Sequence, residues 1–276
     1  CSLCRSPRNS TYQILTVTRL NLPFTSLQLG VIVWASRDRE RNMDIYTQIE
    51  EGLKGFLLQY KFAVDEMGAS PRSIGDKVQQ VITENFPSIC KEAARKLKTQ
   101  FRYKVEISRR AFEDAAFSTG DKYFAFDVKT RNVEVGFHMP NIKSVERLVH
   151  FYTSNANTLA IIGVDYRLTL ENQIKPINFE KVIVVPIEQI SWGCLRFGKL
   201  GYGQIQVEPN QPIIVERQQT RDQWMRLLFS NLYSFYKEEL RKSKAMLKWA
   251  EECEKLCRQG RTEELPRLSR YIKEKT

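Results

Sequence analysis

Two carboxylates and a lysine lie within one short stretch of the sequence, FEDAAFSTGDKYFAFDVK over residues 112–129. They are Asp114, Asp127 and Lys129. Carboxylates are the hard oxygen ligands that Mg²⁺ prefers, and Mg²⁺ usually keeps several waters besides. A bound cation polarises a phosphoryl oxygen, and a lysine beside it stabilises the negative charge of a pentavalent phosphate. The residue types therefore indicate metal-assisted hydrolysis of a phosphodiester.

A β-hairpin is the element that has to position these side chains. The turn sequence STGD separates two apolar runs and predicts strands over Phe112–Phe117 and Lys122–Lys129. Because side chains alternate along a strand, Asp127 and Lys129 share a face. An unpaired carboxylate inside the run YFAFD is expensive to bury, so Asp127 is expected to have partners. The alternative is a solvated strand edge with alternating charges.

The register of the hairpin decides where Asp114 lies. With Thr119-Gly120 at the centre of the turn, Asp127 lies opposite Phe112, and Asp114 is its diagonal neighbour on the same face, about 7–8 Å away. A turn shifted by one residue is expected to move Asp114 to the other face.

Four sequence markers resemble one family of nucleases. DVKTRN over residues 127–132 and PNI over 140–142 resemble the active-site and recognition region of type II restriction endonucleases of the HincII/HpaI type, in the PD-(D/E)xK superfamily. GQIQ over 203–206 and TR over 220–221, followed by Trp224, agree in the same order. The resemblance covers roughly residues 112–240. One departure is Glu113, which precedes Asp114 where the motif has proline.

The resemblance implies an α/β fold, with a mixed central β-sheet flanked by helices around a restriction-endonuclease-like core. It implies that Asp114, Asp127 and the carbonyl of Val128 bind Mg²⁺, and that Lys129 stabilises the transition state or orients the attacking water. It further implies hydrolysis of double-stranded DNA at a short, palindromic sequence by a homodimer, with one active site per strand. A DNA repair or junction nuclease, and a catalytically inactive DNA-binding protein, are the alternatives.

The residues after the catalytic lysine are candidates for DNA contacts. Thr130, Arg131 and Asn132 are expected to hold the phosphate backbone, or else to be turn residues. In the loop that follows, Pro140 is flanked by His138 and Asn141. The resemblance implies that this loop reads bases, since asparagine can pair with an adenine edge. The alternative for His138 is an exposed loop position.

Four further residues complete the set of candidates. Gln204 and Gln206 are expected to face DNA that approaches the glycine-rich segment closely, or to belong to a strand entered through a glycine turn. Arg221 at a helix start is a phosphate contact or part of a local ion pair. Glu84 is the candidate for an extra acidic residue from the helix before the hairpin, or is a solvated glutamate on that helix.

Composition is compatible with this reading. The chain has 276 residues, 42% hydrophobic and 27% charged, with a formal net charge of +11. A basic surplus of this size suits a polyanion such as nucleic acid, although it also suits an acidic membrane surface. The six cysteines form neither a disulfide framework nor a zinc site, which indicates structural thiols in a reducing cytoplasm. No nucleotide-binding fingerprint is present.

The chain divides into a leading segment and one predicted domain. Residues 1–42 begin with Cys and contain an apolar run, Leu27–Ala35, that is too short to span a bilayer. They are expected to be an extension that does not belong to the enzyme. Residues 43–276 are predicted as a single endonuclease domain with a catalytic hairpin (112–129), a recognition loop (130–142) and C-terminal helices (220–258). Helices are predicted near Asp44–Tyr60, Asp76–Thr99, Asn141–Tyr152 and Thr220–Cys257, and further strands near Phe101–Ile107, Thr158–Tyr166 and Lys181–Pro186.

Overall fold

The predicted elements assemble into a mixed central β-sheet with helices packed against it, a mixed α/β architecture. This computed structural model describes residues 44–62, 71–104, 111–135, 140–168, 177–198 and 203–268. The helices are α1 (residues 44–59), α2 (Pro71–Lys96), α3 (Val145–Phe151) and α4 (Arg221–Arg258). The strands are β1 (Arg102–Tyr103), β2 (Ala115–Thr119), β3 (Lys122–Asn132), β4 (Asn141–Ser144), β5 (Asn157–Leu168), β6 (Ile177–Pro186), β7 (Leu195–Gly198) and β8 (Gln204–Val207).

Two sheets are present in the described residues. The larger has the order β1-β2-β3-β5-β6, in which β3 and β5 run parallel and the other pairs are antiparallel. The smaller is antiparallel, with the order β4-β8-β7. Strand β3 therefore lies inside the larger sheet, between the hairpin strand β2 and the long strand β5. This central place explains why most of β3 is buried.

One face of the larger sheet packs against α1 and α2. Helix α1 buries residues at helical spacing, and α2 continues this apolar surface along its own length. On β3 the partners are Phe124, Phe126 and Val128, which alternate with residues facing the other way. Pro87 lies within α2, which runs through it without a break.

The opposite face packs against α3, the start of α4 and the smaller sheet. Trp224 is fully buried there, and its Nε1 donates a hydrogen bond to the carbonyl of Ile190 at 2.9 Å. Ala125 on β3 belongs to this second core, so the alternation of β3 points Asp127 and Lys129 to the same side. The candidate carboxylate therefore faces the smaller sheet.

The hairpin has a different turn from the one predicted. Thr119 pairs with Lys122 and Ala115 with Phe126, so the turn consists of Gly120-Asp121. Gly120 has a φ of 59°, a left-handed conformation that glycine adopts without strain. Moving the centre of the turn by one residue gives each residue of one strand a partner two positions further along the other strand. Because side chains alternate with a period of two, each residue keeps its face of the sheet. The expectation that such a shift transfers Asp114 to the other face is therefore wrong.

Three predicted elements also differ. The helix predicted from Asn141 begins at Val145, because Asn141–Ser144 form strand β4 and Ser144 caps the helix. Strand β6, predicted near Lys181–Pro186, already begins at Ile177 and lies at the end of the described sheet. The strand predicted over Phe101–Ile107 has only Arg102–Tyr103 in β1 within its described part.

Three parts of the predictions fall outside the described residues: the leading segment 1–42, His138 in the recognition loop, and residues 269–276 at the end of the predicted domain. None of the helices in the described ranges has a stretch that is both long and apolar enough to cross a bilayer.

Candidate active site

Asp127 lies at the centre of the candidate site and is almost fully buried, with 1% of its surface exposed. Its two carboxylate oxygens face two different lysines. Lys129 Nζ lies 2.8 Å from Oδ2, and Lys143 Nζ donates a hydrogen bond of 2.5 Å to Oδ1. Lys129 is two residues along the same strand, whereas Lys143 comes from β4 in the smaller sheet. Both sheets therefore contribute to the surroundings of one buried carboxylate.

The two oxygens of Asp127 differ in how well they are satisfied. Oδ1 accepts the hydrogen bond from Lys143, but Oδ2 is buried and accepts none. The close approach of Lys129 to Oδ2 is an ion pair that lacks hydrogen-bond geometry. The Lys129 ammonium balances the charge of Oδ2, and this oxygen, which accepts no hydrogen bond, is the one that Asp127 can offer to a metal ion.

Asp114 lies where the β2–β3 pairing ends. Its backbone N–H donates to the carbonyl of Phe126 at 2.9 Å, and its Oδ2 accepts a hydrogen bond from the N–H of Val128 at 2.8 Å. Burial raises the pKa of the Asp114 carboxyl, and the negative charge of Asp127 raises it further, against opposing effects from Val128 and the two lysines. The carboxylates are therefore close enough to repel each other, as in a site that binds a cation.

Glu113 fixes the backbone next to Asp114. Its side chain is buried and accepts hydrogen bonds from Lys104 Nζ at 2.5 Å and from Tyr123 Oη at 2.7 Å. Burial raises the pKa of Glu113, but these two hydrogen bonds, the charge of Lys104 and a backbone hydrogen bond together hold the pKa below its usual value. The residue that replaces the proline of the motif is thus an anchored carboxylate in the hairpin.

The two aspartates are the carboxylates that this site could offer to a metal ion. In the part of the chain that the structure describes, no three His, Cys, Asp or Glu side chains come close enough together to hold a metal ion. Two carboxylates suit Mg²⁺, which retains waters in its coordination sphere. Glu84 does not join them: it is exposed on α2, which packs against the other face of the sheet, and it accepts a hydrogen bond from Gln80 at 2.7 Å.

The three residues after Lys129 point in different directions. Thr130 packs against α2, where a Cβ on Gly75 would lie 2.7 Å from its Oγ1. Arg131 forms a bidentate pair with Asp165 on the neighbouring strand β5, with Nε 2.9 Å from Oδ1. Asn132 is buried and its Oδ1 accepts a hydrogen bond from the N–H of Glu134 at 2.9 Å, which turns the chain at the end of β3.

The candidate base-reading residues of β4 and β8 are neighbours. Asn141 is exposed and opposite Gln206, whose Nε2 donates to Asn141 Oδ1 at 2.6 Å. Gln206 is buried, and its own Oε1 accepts no hydrogen bond. Gln204 is half-buried and pairs with Ser144 and Gly198. The structure thus brings Asn141 and Gln206 together at the edge of the smaller sheet.

Arg221 lies at the start of α4 and has several intramolecular partners. Its Nη2 donates to the carbonyl of Asn157 at 2.8 Å and lies 3.7 Å from Glu188. Its guanidinium also lies over the ring of Tyr152, 4.3 Å from the centroid. The N-cap of α4 is Thr220, which forms a capping box with Gln223. Arg221 therefore joins α4 to the end of the larger sheet.

Sequence reasoning missed Lys143. The pairing of β4 with β8 slips between Asn141 and Ser144, as in a β-bulge, and Lys143 lies in this irregular segment. Bulges redirect side chains, and here the lysine reaches Asp127 on the other sheet. A single lysine on a short strand carries no sequence signal for such a long-range contact.

A cleft opens beside the site, on the side of the β3–β5 pair. Its charged lining residues are Lys129, Arg131, Asp165 and Lys181. Arg131 and Asp165 pair with each other, so the charges of Lys129 and Lys181 remain in the lining, and the cleft suits an anionic group. No model of a protein family matches the chain, and no curated protein is significantly similar to it.

Proposed function

We propose that the protein is a Mg²⁺-dependent type II restriction endonuclease that hydrolyses double-stranded DNA at a short, palindromic sequence. The observation that carries the proposal is the buried Asp127, whose Oδ2 lacks a hydrogen bond, next to Asp114 and with Lys129 on the same strand. The mixed sheet with flanking helices supports it, since the implied restriction-endonuclease-like core is of this kind. As the resemblance implies, the enzyme acts in the cytoplasm of a prokaryote.

Each residue has one task in this reaction. Asp114 and Asp127 hold Mg²⁺, and the carbonyl of Val128 joins them. The chemistry that Mg²⁺ supplies in such sites is polarisation of a phosphoryl oxygen and acidification of a water molecule. Lys129 stabilises the negative charge of the pentavalent phosphate, because its ammonium lies beside Asp127, 2.8 Å from Oδ2, on a side chain that is only partly exposed.

The cationic cleft and the edge of the smaller sheet supply the DNA contacts. Lys181 lines the cleft beside Lys129 and attracts the phosphate backbone, whereas Arg131 in the same lining is paired with Asp165. Asn141 is exposed at the start of β4 and reads bases. A palindromic site matches a two-fold dimer, in which each copy cuts one strand.

Digestion of plasmid DNA tests the proposal. The protein is incubated with Mg²⁺ and a mixture of supercoiled, linear and branched DNA, beside Asp127→Asn and the matched control Asp121→Asn in the exposed hairpin turn. Discrete bands from the wild type and Asp121→Asn, and none from Asp127→Asn, support a sequence-specific endonuclease. Cleavage of branched DNA alone makes the protein a structure-specific nuclease, and binding without cleavage makes it an inactive DNA-binding protein.

A further inference from the structure

The two lysines around Asp127 are not equivalent. Lys129 follows Asp127 on the same strand and approaches Oδ2, the oxygen without a hydrogen bond. Lys143 reaches across from the smaller sheet and occupies Oδ1 with a hydrogen bond. Its side chain is 11% exposed, against 22% for Lys129. Lys143 is therefore the more deeply buried partner of the carboxylate.

The charges around Asp127 are already balanced in the absence of a metal ion. Asp114 and Asp127 contribute two negative charges when ionised, and Lys129 and Lys143 contribute two positive charges, so the set is formally neutral. A divalent ion that enters this set meets two ammonium groups close to the same carboxylate. Because like charges repel strongly where water is largely excluded, the ion and Lys143 compete for Asp127.

We propose that Lys143 is a displaceable counter-ion of Asp127, which keeps the cation site weak in the free protein and leaves it when DNA arrives. The inference rests on the proposed function and adds to it a dependence of metal binding on DNA. The released ammonium pairs with a DNA phosphate. The Lys143 ammonium then no longer repels a divalent ion at Asp127, and the DNA phosphate adds a negative charge that attracts the ion.

Lys143 is suited to this movement in two ways. Lysine is a point charge on a flexible stem of four carbons, so it exchanges one anion for another without a fixed geometry. Its Nζ also lies 5.4 Å from the centroid of the Phe112 ring, an interaction that keeps the ammonium near the site after it leaves the carboxylate. The exposed Asn141 lies two residues away on the same strand, so DNA bound there lies close to Lys143.

Binding of Mn²⁺ to the full-length protein tests the proposal, with the free ion measured by electron paramagnetic resonance. Lys143→Met keeps the length of the side chain and removes its charge. We expect it to bind Mn²⁺ at least about tenfold more tightly than the wild type, because one neighbouring charge changes proton affinity by roughly 1–3 pKa units. Lys143→Arg keeps the charge and is expected to resemble the wild type. Lys91→Met is the matched control, since it removes one charge from the exposed side of α2, which packs against the other face of the sheet.

The second measurement adds duplex DNA from the same plasmid, with Mn²⁺ bound by DNA alone subtracted. Because coupling between two ligands is reciprocal, we expect DNA to raise the Mn²⁺ affinity of the wild type and to raise that of Lys143→Met much less. Circular dichroism establishes that each variant is folded, and Lys143→Gln replaces Lys143→Met if the latter is not.

The outcomes separate this inference from the proposed function. Equal Mn²⁺ affinity of the wild type and a folded Lys143→Met overturns the inference, and so does an equal tightening in Lys91→Met. If these results accompany normal plasmid cleavage, the endonuclease function stands without the inference. If no variant binds Mn²⁺ with or without DNA, both fail.

Discussion

The N–H of Val128 donates a 2.8 Å hydrogen bond to Asp114 Oδ2, so the backbone between Asp127 and Lys129 also holds the first aspartate. This bond fixes Asp114 where the regular strand pairing ends. The two carboxylates and the lysine are therefore held by the same hydrogen-bonded hairpin. Their effects on activity are expected to be strongly non-additive, as in other groups of residues that act as a unit.

The first prediction concerns Lys129. Lys129→Ala is expected to remove about 2.7–4 kcal/mol of transition-state stabilisation, so that cleavage is slower by about 10²–10³-fold. DNA binding should change little, because Lys129 is only one of the many cations that give the chain its net charge of +11. Single-turnover cleavage with Mg²⁺ and DNA binding with Ca²⁺ in its place measure the two effects. Unchanged turnover would exclude Lys129 from the mechanism.

The second prediction concerns Glu113 and pH. Because its folded pKa is lowered, Glu113 stabilises the fold above its unfolded pKa of about 4.3, and this contribution is lost as the pH falls through the folded pKa. Glu113→Gln is expected to lower the free energy of unfolding at neutral pH by about 1–2 kcal/mol, a value reduced by the exposure of Lys104.

Urea denaturation between neutral and acidic pH measures this difference. The difference in the free energy of unfolding between Glu113→Gln and the wild type should decrease below about pH 4.3 and disappear below the folded pKa of Glu113. Tyr123→Phe, which removes one of the two hydrogen bonds, should give a smaller gap of the same pH dependence. A gap that is constant across the whole range would assign the effect to packing.

Local patterns in the sequence predicted the hairpin strands, the shared face of Asp127 and Lys129 and the helix containing Trp224, because alternation and helical spacing are properties of neighbouring residues. The register depended on a single turn position and was wrong. A helix was predicted from Asn141, but the helix begins at Val145 after the N-cap Ser144, and Asn141 pairs with Gln206. This pairing and the reach of Lys143 connect residues far apart in the chain, so local patterns cannot predict them.

The third prediction concerns the proposed dimer. Phe229, Tyr233, Tyr236 and Leu240 are exposed on α4, by 48%, 72%, 44% and 56%, and their spacing of four, three and four residues is that of a coiled-coil seam. They lie away from the buried Trp224 and Leu228. We expect this face to pack against α4 of a second copy, because the proposed function requires two-fold symmetry.

A charge on this face should separate the two copies. Tyr233→Glu is expected to shift the protein from dimer to monomer, because it places two like charges in the seam. Ser234→Glu, exposed on the next position of the same helix, is the matched control. Sedimentation velocity at several concentrations measures the distribution. Identical profiles for the wild type and Tyr233→Glu would place the dimer contact elsewhere.

The fourth prediction concerns Arg221. Arg221→Ala loses a hydrogen bond to the carbonyl of Asn157, the ion pair with Glu188 and the contact with Tyr152. We expect a loss of about 1–3 kcal/mol in the free energy of unfolding, measured with urea. The salt dependence of DNA binding should stay the same. If DNA binding instead depends less steeply on salt concentration while the free energy of unfolding is unchanged, Arg221 is a phosphate contact.

The last prediction divides DNA affinity between charge and base reading. Gln206 Nε2 donates to Asn141 Oδ1 across the pair of strands, which orients the exposed amide of Asn141 before DNA binds. Asn141→Ala is therefore expected to cost about 1–3 kcal/mol on the duplex that contains the cleaved sequence, and little on random duplexes. The slope of the logarithm of the binding constant against the logarithm of the salt concentration, about −0.9 for each neutralised phosphate, should not change. Gln206→Leu, which removes only the orienting hydrogen bond, should give a smaller loss of the same specificity. Binding is measured with Ca²⁺ in place of Mg²⁺ across a salt series, and equal losses on both duplexes would show that Asn141 positions the backbone and reads no base.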